Sequence, residues 1–139
     1  MTPAESPLPF VGTWKLIHCE TSHPELPYPK SSVTTFVQRE DGLDYKAESI
    51  WSDGRSTAAS IFFRKEGGWC PVSGSALADS VSIQVLDDGS VEGKMRKGES
   101  ESGRNHMTVS ADGQTMSTQW EILGPGGVTI TWKSTAQRQ

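Results

Sequence analysis

Two cysteines in 139 residues, Cys19 and Cys70, stand in unrelated surroundings. A disulfide-stapled scaffold needs more, so they read as free thiols of a reducing compartment. No apolar run approaches the roughly 20 residues that cross a bilayer, so no membrane span is expected. The opening stretch, Met1 to Pro9, holds Pro3, Pro7 and Pro9 and has no basic start ahead of an apolar segment, which is not the pattern of a secretory leader. Cytoplasmic location is the default expectation, although a chain trimmed of its leader would read the same. Charge of one sign is also missing: 13 Lys and Arg against 17 Asp and Glu give a net charge of −4, mixed along the chain. Without a basic stripe, neither nucleic acid nor an anionic membrane is an expected partner. The single asparagine, Asn105, is not in a glycosylation sequon. There is no Gly-x-Ser-x-Gly elbow, no P-loop and no dinucleotide fingerprint. Three scattered histidines and two distant cysteines lack the convergence of a zinc site, so no metal is expected.

What is present is turn chemistry. Hydrophobic residues make up a lean 34%, against 14 Gly and 8 Pro, which argues for short strands and tight turns rather than a helical bundle. Alternating runs are expected at Thr13 to Cys19, Ser31 to Arg39, Leu43 to Ser52, Ser56 to Lys65 and Trp69 to Val72. Others follow at Asp79 to Leu86, Ser90 to Lys97, Gly103 to Ser110, Gln114 to Leu123 and Val128 to Thr135. Asp41-Gly42, Asp53-Gly54, Gly67-Gly68, Asp88-Gly89 and Asp112-Gly113 punctuate them, and Asp-Gly and Gly-Gly are strong hairpin signals. Pro24, Pro27 and Pro29 make Glu20 to Lys30 an irregular loop over one end. About nine or ten strands joined by short turns form an antiparallel meander, which exposes two edges unless it closes. The reading is therefore all-β: a flexible arm over 1–9 and a single antiparallel up-and-down β-barrel over 10–139, with a two-sheet sandwich as the alternative.

Phe10-Val11-Gly12-Thr13-Trp14-Lys15-Leu16 resembles the Gly-x-Trp opening of the calycin superfamily, which includes lipocalins and fatty-acid-binding proteins. Pro71 to Ser75, Ala78 to Ser82 and Val109 to Met116 are similar to small bacterial lipocalin-like proteins of unassigned function. The resemblance implies a lipocalin-like barrel around a ligand cavity, with Trp14 as its floor. It departs where fatty-acid-binding proteins carry a helix pair, which the Glu20 to Lys30 loop does not supply. Lipocalins commonly set an arginine of the last strand against the signature tryptophan, a position that Lys133 or Arg138 only approximates. Some calycin-type barrels hold haem through one histidine. His106 falls in the outward phase and His18 near the N-terminus, so no cofactor is expected and haem is only an alternative.

The polarity pattern selects an inward phase that includes Trp14, His18, Tyr45, Trp51, Phe63, Val85, Met95, Met107, Trp120 and Trp132, with four of the five tryptophans on it. Such a lining either fills the barrel as core or surrounds a small hydrophobic or aromatic molecule. The candidate ligand-binding residues are His18, Tyr45, Ser49, Trp51, Phe63, Met95, Met107, Trp120 and Trp132. The expected function is binding of a small, mostly apolar ligand. One alternative is a barrel enzyme of isomerase, lyase or decarboxylase type using His18 or Tyr45 as acid-base. The other is a filled barrel acting as an interaction or structural protein, with self-association through an apolar patch around Phe62 and Leu123. Lys94 to Glu101 reads as a solvated hairpin.

Overall fold

The computed structural model describes residues 8–139, so residues 1–7 of the expected arm lie outside the described residues. Ten antiparallel strands run β1 (Gly12–Thr21), β2 (Pro29–Gln38), β3 (Gly42–Trp51), β4 (Ser56–Arg64), β5 (Cys70–Ser73), β6 (Ser80–Val85), β7 (Val91–Lys97), β8 (Ser100–Val109), β9 (Thr115–Leu123) and β10 (Thr129–Arg138). Each strand pairs with its sequence neighbours, and β1 pairs with β10, so the sheet closes into an up-and-down barrel with no free edge. A 3-10 turn at Pro125–Gly127 joins β9 to β10.

The hairpins follow from the Asp-Gly pairs. At Ser110 to Gln114, Gly113 adopts φ +74°, and Asp112 accepts bonds from the Gln114 backbone N–H at 3.1 Å and the Ser110 hydroxyl at 2.5 Å. The proline loop is shorter than expected, because Glu20 and Thr21 still pair with Lys133 and Trp132 of β10. Pro29 opens β2, a first-strand position where its missing N–H removes no central ladder bond.

One end of the barrel is closed by Phe10 and Trp14, both almost fully buried, backed by Phe36, Leu43 and Phe63. At roughly 25 cal/mol per Å² over the 150–250 Å² of a buried tryptophan, Trp14 alone contributes on the order of 4–6 kcal/mol to this plug. Its indole N–H donates to the Phe10 carbonyl at 2.8 Å. The end of the arm is tied down as well: Leu8 N–H donates to the Gln38 side chain at 3.2 Å, and Arg138 donates to the Pro9 carbonyl at 2.6 Å.

The inward phase holds along most strands and breaks on β1. Leu16 opposes Ala136, but His18 opposes Thr135, so Ile17 is an extra residue in a β-bulge. One extra residue turns every later side chain to the other face. Ile17 is consequently 59% exposed, His18 is exposed, and Cys19 takes the inward position. The expectation that His18 faces the interior is therefore corrected. Val85, also expected inward, is 42% exposed at the end of β6. Of the suspected outer apolar patch, Leu123 is 56% exposed, while Phe62 is half-buried and packs over Gly42.

Candidate functional site: an aromatic cavity inside the barrel

Above the Phe10–Trp14 floor lies a cavity of about 390 Å³, within the range of small-molecule sites. The barrel is not filled by its own side chains because several inward positions carry small residues. Ala47 of β3 faces Ala59 of β4 and Thr34 of β2 across the ladder, and all three line the void. The mouth is at the opposite end, under Leu26 and Pro27 of the proline loop, Arg55 of the β3–β4 turn and Leu77 of the β5–β6 connection. Ser22 pins the proline loop: its backbone N–H donates to the Thr131 carbonyl, and its hydroxyl accepts from the Thr131 N–H, each at 2.9 Å.

Eight of the nine candidate residues line this cavity. Tyr45, Ser49 and Trp51 alternate along β3, and Phe63 stands on β4. Met95, Met107, Trp120 and Trp132 come from β7, β8, β9 and β10. The rings form two groups. Phe10, Phe36, Tyr45 and Phe63 make an edge-to-face chain near the floor, with centroids 5.2 to 6.3 Å apart. Trp132 lies between Trp51 at 5.7 Å and Trp120 at 6.3 Å, an aromatic wall toward the mouth.

The ninth candidate, His18, is on the outside. With Glu20, Lys133, Gln119 and His106 it lines a separate depression of about 350 Å³ on the outer wall of β1, β10, β9 and β8. His106 faces outward as its phase predicts, and His23 sits in the proline loop, so among the described residues no histidine lines the cavity.

Polar groups in the wall are mostly satisfied by one another. The Trp51 indole N–H donates to the Thr57 hydroxyl at 2.8 Å, and the Ser32 and Ser49 hydroxyls share a bond of 3.0 Å. The exceptions are Thr34, Tyr45, Asn105 and Thr118, whose side chains make no hydrogen bond among the described residues. The Trp132 indole N–H, on a residue 4% exposed, is also without a partner among them. Burial pushes the Tyr45 hydroxyl up to about 12, so it is a neutral donor at ordinary pH. Burial likewise raises the Cys19 thiol to about 11. Arg55 is the one charged residue among the described lining residues. It lies 5.6 Å over the Trp51 ring and is paired with Asp53 at 2.8 Å.

Sequence reasoning missed Asn105, Cys19, Arg55 and the loop residues. Asn105 shares the parity of Met107, so its signal was present. Cys19 had none, since only the bulge turns it inward. Arg55 belongs to a turn, where strand parity does not apply.

No family model matches the sequence, and no curated protein matches it. Solved structures do. The chain is similar to the S-type phycobiliprotein lyase CPES from Guillardia theta, with a TM-score of 0.60, 12% identity, and 94% of this chain and 89% of that chain covered. It is also similar to Rv2717c from M. tuberculosis, with a TM-score of 0.62, 13% identity and coverages of 94% and 93%. At these identities the likeness is one of fold: a closed, ten-stranded, up-and-down barrel of lipocalin-like form.

Proposed function

We infer that the protein binds a small, mostly apolar molecule inside its barrel. The observation that carries this reading is the 390 Å³ cavity, walled by aromatic and methionine side chains with one charged residue at its mouth. Burying a charge deeper than Arg55 would leave it without a counter-ion, so the body of the ligand is uncharged. Catalysis is the weaker reading although one protein of this fold is named a lyase. His18 is outside, no carboxylate is among the described lining residues, and the phenol of Tyr45 is too weak an acid to lose its proton near neutrality.

Native mass spectrometry of protein taken gently from its host tests the reading, with an added small-molecule mass as the expected result. In parallel, a neutral solvatochromic dye should bind the wild type and lose at least tenfold in affinity for Ala47→Phe, which fills the void. Dye affinity unchanged by that substitution, in a variant with the wild-type circular dichroism spectrum, sinks the idea.

A further inference from the structure

Tyr45 and Asn105 stand half-way round the ring from one another. Tyr45 is on β3 and Asn105 on β8, five strands apart in a closed order of ten, so the two walls face each other across the cavity. Each is set in a small polar corner of otherwise apolar wall. Thr34 lies diagonal to Tyr45 across the β2–β3 ladder, and Thr118 lies diagonal to Asn105 across β8–β9; both line the void. The Asn105 amide is accommodated by Gly93, its direct partner on β7. Gly93 is buried and has no positive φ, and a side chain there would collide with the Asn105 carboxamide. The glycine is thus there for room, which it gives to a polar group rather than to core packing.

Polar groups that line a cavity and lack a protein partner are free to bond to whatever occupies it. Elsewhere in the same wall the serines and Trp51 find protein partners, whereas these two opposed groups, the threonines beside them and the Trp132 indole N–H do not. Resting on the ligand-binding reading, we propose that Tyr45 and Asn105 are the specificity residues of the cavity. They recognise a flat, uncharged molecule that carries hydrogen-bond acceptors on two opposite edges, as a fused-ring dione does. The Tyr45 hydroxyl donates to one edge and the Asn105 amide to the other, while the Trp51–Trp132 pair offers an aromatic surface to one ring face.

The test compares anthracene, anthraquinone and anthracene-carboxylate by tryptophan quenching, with affinities referred to each compound's partition into hydrocarbon solvent. Wild type should favour anthraquinone over anthracene by about tenfold or more, as two added hydrogen bonds in a dry site imply. Tyr45→Phe keeps the ring packed on Phe36 and Phe63, and Asn105→Ala provides a second, independent truncation. Each should lose part of the preference, the pair should lose all of it, and anthracene affinity should change less than threefold. Equal affinities for anthracene and anthraquinone in wild type overturn the proposal and leave the binding reading standing. Anthracene-carboxylate binding tightest, and losing affinity in Arg55→Met, overturns it in favour of an anion held at the mouth. Failure of all three to quench sinks the binding reading along with it.

Discussion

The guanidinium of Arg138 lies 4.4 Å over the ring of Trp14, at the closed end of the barrel where the last strand meets the first. Its three nitrogens donate to the carbonyls of Gly113 at 2.7 Å, Val11 at 2.7 Å and Pro9 at 2.6 Å. Gly12 makes this approach feasible: its φ is +132°, and Arg138 occupies the space a Cβ would need. One side chain therefore ties together the N-terminal entry, the β8–β9 turn and the plug. The arginine that the sequence only approximates with Lys133 or Arg138 is Arg138, while Lys133 lies on the outer wall.

Arg138→Met retains much of the stem and removes the three charge-assisted bonds and the cation–π contact. The expected cost is about 2–4 kcal/mol of stability, read as a lower urea midpoint. Arg138→Lys should recover little, since an ammonium cannot reach three carbonyls in a plane. A loss below about 0.5 kcal/mol for the methionine variant would show that the clamp is ornamental. Trp14→Ala should cost about 3–5 kcal/mol through the cavity it leaves, with little change in specificity in whatever fraction folds.

The bulge at Ile17 predicts opposite outcomes for adjacent residues. Cys19→Phe projects a ring into the cavity and should weaken binding of a neutral dye about tenfold or more, whereas His18→Phe decorates the outer wall and should leave it unchanged. The reverse pattern in a dye titration would mean that β1 runs without the bulge.

Burial raises the Tyr45 hydroxyl from its ordinary value of 10 to about 12. Between those values the unfolded chain has released the phenolic proton and the folded chain still holds it. Stability should therefore be intact below about pH 10 and fall as pH rises toward 12, by on the order of 2–3 kcal/mol from this group. Tyr45→Phe should lose less stability than wild type over that window, measured by urea unfolding at the two ends. Parallel pH curves for the two proteins would show that the phenol is solvated.

Cys19 offers a covalent probe of the same interior. Its thiol is held at about 11 by burial and at neutral pH is almost wholly protonated, so alkylation by iodoacetamide should be slow and accelerate as pH passes from 9 to 11. A dye occupying the cavity should slow it further, since Cys19 lines the void. Mass spectrometry of the modified peptide gives both rates, and a rate indifferent to the dye would place the thiol outside the cavity.

The ten strands were legible because alternation and Asp-Gly turns are local properties. A stretch such as Tyr45 to Trp51 carries its own face, and Asp112-Gly113 its own turn. Closure was legible at one remove, from the physical cost of leaving two sheet edges open. The eight aromatic, methionine and serine positions lining the cavity followed from the same parity. His18 failed because a bulge is set by how β1 must fit β10 on one side and β2 on the other, and no residue near Ile17 announces it.

The order of the strands and the direction most side chains face belong to the sequence by itself, since each follows from periodicity two and turn chemistry within a few residues, while the place of Trp14 at the floor was implied by the resemblance of its Gly-x-Trp setting. The tertiary structure alone decided three things: that Arg138 reaches Trp14 from 124 positions away, that Cys19 rather than His18 faces inward, and that Tyr45 and Asn105 stand on opposite walls of one cavity without partners. All three depend on how a closed ring of strands sets the register and spacing of residues remote in the chain. Whether a wall of aromatics encloses a void is a matter of volume, which parity does not measure.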